Sequence, residues 1–262
     1  MILLLVTEKE RAFVKKLFEG VEFPIDFGTY NESDSLENDE EIMAVVDLNT
    51  SDYFYSLHGA SKYILINDKL PYVIKIPFNG FWEEVYEEEI YKEDDIEDVE
   101  EDIFPKYVFT NFECAGRDSY CDDAMWENNY CETEARFYQV IEEGREDIKI
   151  FFAETRYCTA IDGKRIYLQE KVIPYSKADD KYSHKSSPLA KELSKKVYHQ
   201  IAEDWIEAAI IYYGEELTKK FIDFLDNDDD IGEIIKEDLH NENYGYREDG
   251  SPCLLDYSGY SA

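Results

Sequence analysis

Basic residues are scarce in this sequence: 27 Lys and Arg stand against 61 Asp and Glu, a formal net charge of −34 over 262 residues. A field of that sign repels nucleic acid and anionic membrane surfaces, so direct binding to either is not expected. Long apolar runs are missing too. The opening Met1–Val6 is apolar but runs at once into Glu8-Lys9-Glu10-Arg11. It lacks a basic leader region and is too short to span a bilayer, which predicts a cytoplasmic protein. Cysteines number only five, at irregular spacings: Cys114, Cys121, Cys131, Cys158 and Cys253. An odd, irregular set fits free thiols in a reducing compartment better than a disulfide framework. The first three lack the close pair a zinc site needs. Asp226, Asp228, Asp230 and Glu237 have the spacing of a calcium loop, but Ile231 stands where that loop needs Gly.

Apolar and aromatic mass is plentiful. Hydrophobic residues make up 44% and aromatics 15%, with 22 Tyr. A disordered chain is poor in both, and this length fits one two-lobed domain or two small ones. Thr7 to Glu19 places Phe13, Val14, Leu17 and Phe18 on one helical face; residues 1–52 read as an N-terminal extension. Strands are predicted at Tyr53–Leu57, Tyr63–Ile66 and Tyr72–Ile76. Glu83 to Asp102 then holds 13 acidic residues and one Lys. It forms the centre of an acidic insertion over 79–130, either a solvated surface or a recognition surface for a basic partner. Cys131–Glu143 reads as a helix. Lys149–Phe152 and Arg165–Gln169 read as strands around an Asp162-Gly163 turn. Pro188–Asn227 reads as two helices, Leu189–Tyr213 and Glu215–Leu225, broken near Gly214. This order predicts an α+β fold with segregated halves.

The residues that carry chemistry gather late in the chain. Asp238-Leu-His-Asn-Glu-Asn243-Tyr-Gly245 is followed by Cys253-Leu-Leu-Asp256-Tyr-Ser-Gly259, with five residues from Asp238 to Asn243 and thirteen from Asn243 to Asp256. In this motif the chain resembles the protein-kinase-like superfamily, including its aminoglycoside-phosphotransferase branch. The resemblance implies ATP and Mg²⁺ as cofactors. Asp238 would be the base towards the attacking hydroxyl, and Asn243 and Asp256 would be hard oxygen ligands for Mg²⁺. Val73-Ile-Lys75-Ile76 is similar to the Val-Ala-Ile-Lys strand of kinases, making Lys75 the phosphate-holding lysine. Glu134 would be its partner, with Glu132 as second choice, although 58 residues intervene between Lys75 and Glu134. Backbone groups near Glu170 to Val172 would hold the adenine. The Gly-rich loop is reduced to His58-Gly59-Ala60-Ser61-Lys62, so Gly59, Ser61 and Lys62 would meet phosphates.

Departures from the family pattern are specific. Lys236 and Glu237 stand where protein kinases have His and Arg, Asp-Tyr-Ser-Gly replaces Asp-Phe-Gly, and the activation segment and later helices have no counterpart. The resemblance therefore implies a β-rich N-lobe over 53–172 and a reduced helical C-lobe over 173–262. It implies a kinase-like phosphotransferase acting on protein hydroxyls. Two alternatives stand beside it: a catalytically weak or inactive kinase-scaffold protein whose acidic surface engages a basic, nucleic-acid-binding protein, or transfer of AMP from the same site.

Overall fold

Thr7 caps the first helix, α1 (Glu8–Leu17): its side chain accepts from the Glu10 backbone and the Glu10 carboxylate reaches back to the Thr7 N–H, satisfying two otherwise orphaned donors. The computed structural model describes residues 6–21, 43–46, 53–56, 62–67, 69–77, 80–85, 106–111, 129–227 and 231–258. Strands β1 (Met43–Val46), β2 (Tyr53–Ser56), β3 (Lys62–Ile66) and β4 (Tyr72–Pro77) lead into a separate two-stranded hairpin, β5 (Gly80–Val85) with β6 (Lys106–Asn111). Most of the acidic insertion, including 86–105, lies outside the described residues. Helix α2 (Tyr130–Gly144) follows, then β7 (Thr155–Ile161) and β8 (Lys164–Glu170). Six strands form one antiparallel sheet in the order β1-β2-β3-β4-β8-β7.

Strand alternation gives this sheet two different faces. Leu65 lies opposite Ile74 and Tyr63 opposite Ile76. These four join Cys158, Ile166 and Leu168 in a buried cluster with Val14, Leu17 and Phe18 from α1 and the turn after it. Each buried aliphatic side chain there contributes roughly 1.5–3 kcal/mol. The residues between them point the other way. Ile64 lies opposite Lys75, so Lys62, two residues from Ile64, shares a face with Lys75. That is the face α2 covers, packing on β4 and β7.

The rest of the chain is mainly helical: α3 (Pro188–Lys196), α4 (Glu203–Tyr213), α5 (Glu215–Asn227) and α6 (Ile231–Glu237). A small sheet in the order β11-β10-β9 joins β9 (Ile173–Pro174), β10 (Tyr244–Tyr246) and β11 (Pro252–Leu254). Trp205, Phe221 and Leu225 form a second core with Phe151, Phe152 and Tyr257; Phe151 stacks on Phe221 at 4.1 Å between centroids. Tyr138 and Ile141 of α2 belong to this core, so α2 packs on both the sheet and the helices. The fold is α+β, and no helix among the described residues is long and apolar enough to cross a membrane.

Two elements differ from the sequence reading. Lys149–Phe152 is a 3₁₀ turn over Lys149–Phe151, and the partner of β8 is β7. Ile148, Phe151 and Phe152 are all buried, an apolar run whose periodicity alone does not separate strand from turn. The hairpin does close on Asp162-Gly163, at φ of 48° and 83°, the paired left-handed residues of a tight two-residue turn. The expected helix Leu189–Tyr213 is two helices. Tyr198 and His199 take left-handed φ of 51° and 60°, and the His199 N–H donates to Ser194 O at 2.9 Å, ending α3. Apolar spacing hides this break because Val197 and Ile201, on either side of it, stay buried.

Candidate active site

Lys75 leaves the centre of β4 towards α2, and Glu134 leaves the first turns of α2 towards β4. They meet inside: Lys75 Nζ lies 2.8 Å from Glu134 Oε1 and 2.9 Å from Oε2, with both residues at most 1% exposed. A third donation, at 3.2 Å, goes to the carbonyl of Leu255, which brings the segment after β11 against the pair. That carbonyl also accepts from Gln169 Nε2 at 2.7 Å. Glu132, the alternative partner, instead points to the outside and pairs with Arg165.

Asp256 follows Leu255 and completes a four-charge cluster. Its Oδ2 lies 2.7 Å from Lys62 Nζ, and Lys62 Nζ is also 3.4 Å from Glu134 Oε1. Two ammonium groups thus face two carboxylates. Burial pushes the Asp256 carboxyl up, but Lys62 foremost and Lys75 next hold it well below the usual carboxylate range. For Glu134 burial wins against Lys62 and Lys75, and with the Asp256 charge alongside it is pushed up to about 7. A proton taken up by the two carboxylates therefore resides on Glu134. Burial opposes the charge on Lys62, yet Asp256 and Glu134 outweigh it and hold the ammonium more firmly than usual.

The loop between α6 and β10 supplies the remaining groups. Asn243 Nδ2 donates to the Asp238 carbonyl at 2.6 Å, and the Asn243 carbonyl accepts from Leu255 N at 2.9 Å and Asp256 N at 3.3 Å. The five-residue loop and the hairpin are thereby stitched side by side. Gly245 permits this packing: a Cβ there would lie 1.9 Å from the Ile173 carbonyl of β9. The Asp238 side chain is half-buried.

Other sequence-selected positions sit elsewhere or do something else. Gly59 and Ser61 lie outside the described residues. Lys62 is brought against the Asp256 and Glu134 carboxylates. The Glu170 carboxylate pairs with Arg247 Nε at 2.8 Å, and the backbone N–H groups of Glu170 and Lys171 donate to Glu154 O and Pro71 O. Val172, the last residue of the expected adenine-holding stretch, is half-buried.

Three further residues lie near the cluster. Tyr130, first in α2, is close enough to Asp238 and Asp256 that, after burial, their charges raise its hydroxyl pKa against the pull of Lys62. Cys131 is fully buried beside Lys62 and Glu134, its thiol pushed up to about 12 chiefly by burial, so it is a packing thiol without thiolate reactivity. Tyr257 anchors the hairpin, donating to Ala153 O at 2.7 Å. Tyr130 and Cys131 read in sequence as an ordinary aromatic and cysteine, which only the fold places here; Tyr257 stands next to Asp256 in the Asp-Tyr-Ser-Gly motif.

Among the described residues no group of three or more His, Cys, Asp or Glu side chains is disposed to hold a metal ion. The donor set that could serve Mg²⁺ is smaller: the Asp256 carboxylate and the side-chain amide oxygen of Asn243, whose nitrogen donates to the Asp238 carbonyl. Mg²⁺ is commonly held by one or two protein oxygens with phosphates and water, so these two groups fit it. Compared with family models, with characterised proteins and with solved structures, the chain matches none.

Proposed function

We propose that the protein is an ATP- and Mg²⁺-dependent phosphotransferase of kinase-like, two-lobed architecture, acting on hydroxyl groups of a protein. The observation that carries this reading is the buried Lys75–Glu134 pair set against Leu255 and Asp256. Three sequence regions converge there, β4, α2 and the segment after β11, and the loop carrying Asp238 and Asn243 is bonded to the last of them. A β-rich half carrying Lys75 and a helical half carrying Asp238, with α2 packed on both, supports the two-lobed architecture.

Phosphoryl transfer needs positioning and charge neutralisation more than covalent help. Glu134 fixes the Lys75 ammonium, which holds phosphate oxygens. Asn243 and Asp256 supply the metal ligands, and bound Mg²⁺ would offset the charge on the phosphates. Asp238 orients the acceptor hydroxyl and takes its proton. The bond from Asn243 to the Asp238 carbonyl fixes the spacing between base and metal ligand. Val172 backbone groups hold the adenine. A second reading, a binding protein on the same scaffold, is favoured by the net charge of −34, which would draw a basic partner.

Incubation with Mg²⁺, a cell lysate and ATP labelled at the γ-phosphate tests the proposal. Labelled protein is expected with the wild type and not with Asp238→Asn, while ATP still raises the melting temperature of that variant. In a parallel incubation with ATP labelled at the α-phosphate, labelled protein there and none from the γ-label would replace phosphoryl by AMP transfer. No transfer and no thermal shift at millimolar nucleotide would leave the binding-protein reading.

A further inference from the structure

We infer that Lys62 is the resident cation of the Asp256 site: its ammonium holds the carboxylate when no nucleotide is bound and keeps divalent metal off it. This deepens the phosphotransferase reading and rests on it. Lys62 opens β3 with its side chain 4% exposed, 2.7 Å from Asp256 and 3.4 Å from Glu134. Strand pleat and register put it on the same sheet face as Lys75, so its direction is set by the backbone rather than by a flexible tip. A lysine is seldom buried this deeply unless paired, and here its partner is the carboxylate assigned to the metal.

Charge arithmetic gives the consequence. Lys62 and Lys75 contribute two positive charges and, with Glu134 ionised, Glu134 and Asp256 two negative ones, so the cluster is at most balanced and a proton on Glu134 adds to its positive side. A divalent ion added alone would leave two positive charges uncompensated in a largely dry site and would have to share Asp256 with an ammonium already on it. Phosphate oxygens change that balance. They offer Lys62 a second anionic partner, and Asp256 becomes free to take metal. Lys62 therefore acts as a positioning residue that makes metal loading wait for nucleotide.

Calorimetric titration of the full chain with Mn²⁺ alone, without nucleotide, tests this. The wild type is expected to bind it weakly or not at all, Lys62→Arg to behave alike, and Lys62→Met to bind about tenfold or more tightly than the wild type. Equal affinity in wild type and Lys62→Met overturns the inference. So does tight Mn²⁺ binding by the wild type alone, a result that decides the matter even if Lys62→Met does not fold. A parallel titration with a non-hydrolysable ATP analogue and Mg²⁺ separates the two layers. Analogue binding together with tight metal-only binding by the wild type sinks only the role of Lys62; no analogue binding sinks the phosphotransferase reading and the inference with it.

Discussion

Among the described residues two buried ion-pair networks, at Arg247 and at Asp256, are built on opposite terms. At Arg247 one guanidinium meets one carboxylate, Glu170, at 2.8 Å. Its other N–H groups donate to Phe152 O at 3.1 Å, Tyr213 Oη at 3.1 Å and Pro252 O at 3.4 Å. Every direction ends on a fixed protein group, so this network is closed. At Asp256 two ammoniums share two carboxylates, and the Asp256 side chain keeps 23% of its surface in solvent. That network is open on one side. A pair surrounded by carbonyls can only hold two segments together, here β8 and the hairpin after β10. A crowded cluster with one accessible carboxylate can exchange partners, which is what a binding site requires.

The largest effect that would sharpen this contrast is on rate. Lys75→Met should lower phosphoryl transfer by roughly a hundred- to a thousandfold, the usual cost of one transition-state donor. Glu134 would keep Lys62 as a partner, so the midpoint of urea unfolding should move far less than in a closed-network variant; an equal loss of stability and activity would erase the distinction. Next in size is Arg247→Met. Leaving the Glu170 carboxylate buried and unpaired should cost about 3–5 kcal/mol, read as a drop in the urea midpoint at unchanged slope. A cost below about 1 kcal/mol, the level of a surface pair, would show that this network is not closed.

The smallest effect is a pH slope. Glu134 rises from its ordinary 4.5 to about 7 on folding, with burial as the main cause. Between those values the folded chain binds more protons than the unfolded one, so this group's contribution to stability is present at the acidic end and is lost as pH rises through 7. The melting temperature should fall between pH 5 and 7.5, and Glu134→Gln should flatten that fall. Asp256 acts in the opposite sense, its contribution present above its ordinary 3.8 and lost as pH falls below it, so it leaves the upper window untouched. An unchanged slope in Glu134→Gln would mean that other groups set it.

Much of this arrangement could be read in the sequence because local rules suffice for it. A lysine amid β-branched residues specifies a strand with one polar position, and β4 is that strand. Phe137 and Tyr138 next to Glu134 specify a helix with a buried side, and α2 is that helix. Lys75 and Glu134 could be named as partners although 58 residues separate them. Lys62 was harder. Beside Gly59 and Ser61 it reads as a loop cation, and its contact with Asp256 depends on the register of β3 against β4, which no local pattern reports. The same holds for Arg247 and Glu170, ordinary charged residues until a hairpin and a strand end meet. The break at Tyr198-His199 was hidden for another reason: non-glycine residues supply the left-handed turn, and buried apolar residues continue through it.

The hydrogen bond from Lys75 to Leu255 spans 180 positions, and that distance is also a delay. At about 5–20 residues per second of synthesis, a nascent chain carries Lys75 for roughly 9–36 s before Leu255 and Asp256 are added to it. For most of that interval Lys75 and Lys62 have Glu134 between them, and the second carboxylate of the cluster, Asp256, arrives last. Until then two ammonium groups share one carboxylate.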